Sequence, residues 1–215
     1  MAFRIYDWIA KSAMGSLFCN LESWLSPPHT ALLMINVLTE LRRDAPQEEM
    51  ITCLRTVLDA ARASGVMVIY LERTAERGSV DVLYGEQEIR PDVMDYGNRL
   101  VELMPRAHDP IVFETHIGTT GTKLDTVLRG NSIRTVVVVG LETNESILNI
   151  THAALTMNYR TAVVEDCVHS WNADLRAHAL LSRSTVVVSS NHLASIWQVE
   201  GRSRITSSFV SPLGF

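Results

Sequence analysis

The sequence predicts an α/β fold: a three-layer Rossmann-like sandwich on a six-stranded, mainly parallel sheet, preceded by an N-terminal helical arm. Three observations predict it. Six short runs are apolar throughout, as strands covered on both faces must be. Segments of helical period separate them, and this alternation builds βαβ units, because parallel strands need long crossovers. The opening stretch has helical spacing and is cut off by a proline pair.

The arm comes first. Phe3, Ile5, Trp8, Ile9, Leu17, Phe18, Leu21 and Trp24 recur closer to helical than to strand spacing, and Ser26-Pro27-Pro28 ends the segment. The organisation expected is an arm over residues 1–28 and one α/β domain over residues 29–215, in keeping with domains of about 100–200 residues. The arm's aromatics offer more apolar surface than a monomer usually exposes, which points to a homodimer or higher homo-oligomer. Membrane-surface binding through the arm's tryptophans and packing of the arm on its own domain are the competing readings.

The strands follow at Ala31–Ile35, Val66–Tyr70, Ile111–Phe113, Val136–Val139, Ala162–Val164 and Val186–Val188. The first is expected at the centre of the sheet with the fourth beside it. Helical patterns occupy Glu48–Ser64, Lys123–Gly130, Glu145–Asn158, Asp174–Arg183 and His192–Glu200, with Gly65 and Gly130 as candidate C-caps. The stretch from Thr74 to Gly97 is rich in charge and glycine, and reads as a long excursion after the second strand, placed to cover a site.

Composition narrows the function classes. Of 215 residues, 47% are hydrophobic and 20% charged, enough to bury a core, which excludes disorder and fibrous arrays. The net charge is −5 and no basic run exists to displace counterions from a phosphate backbone, so nucleic acid is not an expected partner. No apolar run approaches the roughly 18 residues of a membrane span, and Asp7 and Lys11 interrupt the N-terminal apolar stretch, unlike a signal peptide. Cys19, Cys53 and Cys167 lie far apart with no CxxC pair, which fits a reducing, cytoplasmic setting. His169, His178 and His192 lack metal-ligand spacing with neighbouring carboxylates, so neither a metal nor another cofactor is expected.

In an open parallel sheet, ligands bind outside the carboxyl ends of the strands. That rule selects Asn36, Leu71 to Arg73, Glu114 to His116, Gly140 to Ser146, Asp166 with Cys167, and Ser189 to His192. The turn Gly140-Leu141-Glu142-Thr143-Asn144-Glu145-Ser146 leads from a strand into a helix, whose first N–H groups make an anion or oxyanion cradle.

From about Thr30 to Val188 the sequence resembles the isochorismatase-like cysteine hydrolase superfamily. The resemblance rests on the apolar first strand, on Gly121-Thr122-Lys123-Leu124-Asp125, on Val138–Asn144 with its Val-Val-Gly-x-x-Thr-Asn pattern, and on Tyr159–Asp166. It implies a Rossmann-like oligomer acting on small amides or, in the isochorismatase branch, on a vinyl ether. The superfamily's Asp base closes the first strand, and Asn36 stands there. Its nucleophilic cysteine follows Thr-Asn by two residues, which is Ser146. Its lysine follows the third strand, at Phe113 or Glu114, and the chain's two lysines are Lys11 and Lys123.

An amide does not accept a proton at neutral pH, and a serine hydroxyl is a weak nucleophile without a base. The resemblance therefore implies a member in which the Asp/Lys/Cys triad is replaced. Asn36, Glu114 and Ser146 are the candidate catalytic residues, with Glu114 suited to acid or base work in an apolar pocket. Arg73, His116, Glu142, Thr143 and Asn144 are candidate substrate-binding residues; Arg73 suits a carboxylate ligand or a local partner such as Glu72 or Glu76. Ser146 is also a capping type for the helix it opens. Two functions remain open: a non-canonical enzyme of hydrolase or lyase type on a small metabolite, and an inactive pseudoenzyme that binds a metabolite or a protein.

Overall fold

In the structure, a computed structural model, all six apolar runs are strands of one sheet. It describes residues 21–40, 48–73, 101–114, 123–140, 146–168 and 185–198. The strands are β1 (Thr30–Ile35), β2 (Met67–Arg73), β3 (Ile111–Glu114), β4 (Thr135–Gly140), β5 (Arg160–Val168) and β6 (Thr185–Val188). Their order is β3-β2-β1-β4-β5-β6, and every neighbouring pair is parallel. The helices are α1 (Leu21–Trp24), α2 (Val37–Glu40), α3 (Glu48–Ser64), α4 (Lys123–Gly130), α5 (Leu148–Thr156) and α6 (190–198).

The central position of β1 and β4 explains their composition. Every residue of both strands is buried, because each has a neighbour at both edges and a helical layer over both faces. Leu32, Met34, Val68, Tyr70, Val137 and Val139 point to one core with α3 and α6. Ala31, Leu33, Ile35, Ile69, Val136 and Val138 point to the other with α4 and α5. Alternation of side chains across an all-apolar strand thus feeds two cores at once.

Three helices end on a residue of positive φ that turns the chain back toward the sheet. Gly65 does so after α3 with φ 78°, as expected of a C-cap glycine. After α4 the role falls to Ser132, φ 55°, and after α5 to Asn158, φ 66°. In each case the next N–H reaches back to a carbonyl of the last turn: Val66 to Ala61, Ile133 to Leu128 and Tyr159 to Ala154. Gly130 is therefore not the cap expected of it; it is the last residue of α4, two positions before the turn.

The described end of the predicted arm packs on the domain. Leu21 and Leu25 are buried in the first core. The Trp24 carbonyl accepts from the Thr30 and Thr135 hydroxyls, and the Trp24 ring lies 4.9 Å from the Arg160 guanidinium carbon. The fully buried Trp197 of α6 donates its indole N–H to the Leu25 carbonyl at 2.9 Å. The remainder of the arm, residues 1–20, lies outside the described residues, as do the Thr74–Gly97 excursion and the Asp174–Arg183 helical pattern. Among the described residues no helix is long and apolar enough to cross a membrane, and no group of His, Cys, Asp or Glu is arranged to hold a metal ion.

Candidate functional site

The chain leaves β1 and β4 in opposite directions across the sheet, which opens a crevice at their carboxyl ends. Asn36 stands at the first of these exits. Its N–H donates to the Leu71 carbonyl at 2.9 Å, extending the β1–β2 ladder by one step. Its φ of 51° then breaks the strand, a conformation that asparagine tolerates better than most side chains.

Gly140 stands at the second exit. Its φ is 147°, and a Cβ there would lie 2.2 Å from the Ile35 carbonyl oxygen. Only a residue without a side chain lets β4 lie this close to the end of β1. The closeness brings the following helical segment over Asn36. Ser146 and Ile147 form a wide helical turn leading into α5, and the Asn36 Nδ2 group donates to the Ser146 Oγ at 2.9 Å. Asn36 is 1% exposed and Ser146 2%.

This contact decides between two roles for Ser146. Among the described residues no side-chain hydrogen bond caps α5 at Ile147, and the Ser146 hydroxyl oxygen accepts from Asn36 instead. The pair is electrically neutral. In either orientation of the Asn36 amide, the group touching Ser146 offers an N–H donor or a carbonyl acceptor, and neither takes a proton at neutral pH.

The other sequence candidates divide into two groups. Arg73 and Glu114 close β2 and β3 and are register partners, so their backbones sit side by side one and two strands away from β1. His116, Glu142, Thr143 and Asn144 lie outside the described residues. The structure thus brings Asn36 and Ser146 together and sets Arg73 beside Glu114 on the flank.

Two features of this rim join residues that the sequence reading named only by their places after strands, without their partners. The first is Glu72, a carboxylate 2% exposed whose Oε1 accepts the Leu38 N–H at 2.9 Å in the first turn of α2. It fixes the chain immediately after Asn36. Its signal in the sequence is its parity: it shares a strand face with the buried Val68 and Tyr70, where a charge needs a partner.

The second feature lies at the ends of β5 and β6. The Asp166 carboxylate accepts both the Ser190 N–H, at 2.8 Å, and the Ser190 hydroxyl, at the start of α6. The Cys53 thiol of α3 also points at Asp166, with Sγ 3.6 Å from Oδ2. Burial, and next the Asp166 charge, push the Cys53 thiol above its ordinary range, because both disfavour a second anion. The same two causes raise Cys167, which is wholly buried.

Comparison with known proteins gives the family of the chain. The isochorismatase domain family profile matches residues 30–192. The ureidoacrylate amidohydrolase of Agrobacterium fabrum is 28% identical over 142 residues, covering 56% of this chain and 62% of that protein. That of Rhizobium rhizogenes is also 28% identical over 142 residues, covering 56% and 58%. The chain therefore matches less than two thirds of the length of these relatives. Among solved structures, N-carbamoylsarcosine amidase from Thermoplasma acidophilum superposes with a TM-score of 0.59 at 25% identity, over 75% of this chain and 96% of that one. A cysteine hydrolase from Pseudomonas syringae pv. phaseolicola shares the fold, with a TM-score of 0.63 at 22% identity over 81% and 94% of the two chains.

Proposed function

Because the chain belongs to the isochorismatase family, we propose that it binds a small metabolite at the carboxyl ends of its strands and acts on it as a hydrolase or lyase without a cysteine nucleophile. The observation that carries this reading is the Asn36–Ser146 hydrogen bond. These residues occupy the places of the family's base and nucleophile, and here they satisfy one another as a neutral pair. A covalent acyl intermediate needs a thiolate, or a hydroxyl with a base beside it. Among the described residues, the group that bonds the Ser146 hydroxyl is an amide.

In this reading Ser146 and Asn36 orient a substrate carbonyl, and Glu114 at the end of β3 is the acid or base. Arg73 holds a substrate carboxylate, and His116, Glu142, Thr143 and Asn144, outside the described residues, are the further substrate-binding candidates. The names of the relatives point to ureido and carbamoyl compounds as the first substrates to try. The protein is taken to work as a cytoplasmic homo-oligomer, with the arm's aromatics Phe3, Trp8 and Phe18 at the subunit contact; light scattering at micromolar concentration tests the assembly.

The test is ammonia release from ureidoacrylate and N-carbamoylsarcosine, with and without iodoacetamide. Turnover should survive the alkylating agent. Glu114→Gln should cost about 10²–10⁴ in rate, the usual worth of a positioned acid or base, and Ser146→Ala should cost less. An acyl-enzyme trapped at Ser146 by mass spectrometry would overturn this reading. The burial and mutual satisfaction of Asn36 and Ser146 equally support a second one, a pseudoenzyme that holds a metabolite without converting it. Calorimetric binding of a compound that is never turned over would select it.

A further inference from the structure

An asparagine just before a helix has an ordinary task, and Asn36 is turned to another. It stands immediately before α2 (Val37–Glu40), at the N-cap position, where an asparagine usually accepts the N–H two or three residues ahead on its side-chain oxygen. Two residues ahead is Leu38. The Leu38 N–H goes to Glu72 Oε1 at 2.9 Å, and the Asn36 Nδ2 group goes to Ser146 Oγ, also at 2.9 Å. The Asn36 φ of 51° accounts for this division: a capping residue is ordinarily extended, and a positive φ aims the side chain away from its own helix.

Two anchors on β2 hold this turn. The Leu71 carbonyl accepts the Asn36 N–H, and the next side chain along the strand, Glu72, accepts the Leu38 N–H. Glu72, Val37 and Leu38 are all buried, so the second bond is shielded from water. A four-residue helix cannot hold its own first turn, and a positive φ at a residue other than glycine persists only where its surroundings over-determine it. We propose that Glu72 is a positioning residue of the site, a cap that β2 lends to α2 and that leaves the Asn36 amide to Ser146, a role that rests on the reading of Asn36 and Ser146 as the pair orienting a substrate carbonyl. Without the Glu72 oxygen, the Leu38 N–H is a buried donor in need of an acceptor, and the Asn36 side chain carries one within its usual reach. Asn36 then turns into its own cap, and Ser146 loses its partner. The reach of residue 72 decides this, and its charge does not. Glu72→Gln keeps an acceptor oxygen at the same distance from the backbone, whereas Glu72→Asp keeps the charge and draws it back by a methylene.

The experiment uses the full chain and needs no substrate. The protein is labelled for nuclear magnetic resonance on its asparagine side chains, the Asn36 amide signals are assigned by their loss in Asn36→Gly, and their exchange with water is measured. Ser146→Ala supplies the rate that belongs to a broken contact. Wild type and Glu72→Gln should exchange slowly, and Glu72→Asp should exchange about tenfold faster, the worth of one hydrogen bond. A role through charge would rank the two variants the other way, and a merely structural role would leave the Asn36 rates alike in every folded variant; either result overturns the proposal. The Leu38 N–H of the wild type is followed in the same way. Slow exchange there supports the cap, and exchange at the rate of an unfolded chain overturns it even if a variant fails to fold. Because these rates are read without substrate, failure of the hydrolase or lyase reading shows in turnover and failure of the positioning role shows in exchange.

Discussion

Two serines open helices at the carboxyl rim of this sheet, and their partners set them apart. Ser146, at the entry to α5, receives a hydrogen bond from the neutral Asn36 amide. Ser190, at the start of α6, gives its N–H and its hydroxyl to the Asp166 carboxylate. The Ser190 pair joins a negative charge to the positive end of a helix dipole, and so anchors α6 to β5. The Ser146 pair contains no charge, and it sits in the crevice between β1 and β4, where this class of sheet binds ligands. A carboxylate beside a serine is therefore no sign of catalysis here. The charged pair holds the fold together, and the uncharged pair lies where chemistry is expected.

The largest effect should come from crowding the neutral pair. Gly140→Ala would force a Cβ into the Ile35 carbonyl at a φ that alanine avoids, and is expected to cost about 3 kcal/mol in urea unfolding. Unchanged stability would mean that the approach of β4 to β1 does not depend on this residue. Next comes the charged pair. Asp166→Ala removes both hydrogen bonds that Ser190 gives to the carboxylate, together with that of the Cys53 thiol, and should cost about 2 kcal/mol, against about 1 kcal/mol for Asn36→Gly, which keeps the positive φ accessible. Equal costs would erase the distinction between the anchor and the site.

Ser146→Ala should cost about 1 kcal/mol, the worth of one neutral hydrogen bond, with the far-ultraviolet circular dichroism unchanged. A loss several times larger would mark Ser146 as structural. The smallest effect is a pH dependence confined to the Asp166 side. The Cys53 thiol is harder to ionise in the fold than in the unfolded chain. Its contribution to stability is therefore complete below the ordinary thiol value of 9.0 and is lost as pH climbs through and beyond it. Stability curves of wild type and Cys53→Ser should coincide in shape at neutral pH and diverge above pH 9.0. Curves that stay parallel would mean that burial and the Asp166 charge do not hold the Cys53 proton.

The order of legibility follows from where the information lies. Glu48–Ser64 and Lys123–Gly130 were readable to the residue, since an amphipathic helix writes its period into a short window. The far end of β5 was not: the apolar run ends at Val164, while the strand continues through Glu165 and Asp166 to Val168 because its neighbours hold it there. The C-cap of α4 was misplaced at Gly130, since glycine is the usual sign and Ser132 adopts the same conformation without it. Asn36 and Ser146 were legible as candidates from their places after strands. Glu72 was legible only as a place after the apolar run Val66–Tyr70, while its bond to the Leu38 N–H, 34 positions away, was not.

By itself the sequence determined the class of fold, the count and direction of the strands, and, among the described residues, the helices between them. These are local quantities, since an all-apolar run of β-branched residues is stable only as a strand with both faces covered. Tertiary structure alone decided which rim residues touch. Asn36 and Ser146 are 110 positions apart, and Cys53 and Asp166 are 113. No periodicity reaches across such distances. Sheet order sets β1 beside β4, a glycine at the end of β4 lets the two strands close, and a slipped register in β5 turns Asp166 and Cys167 toward α3.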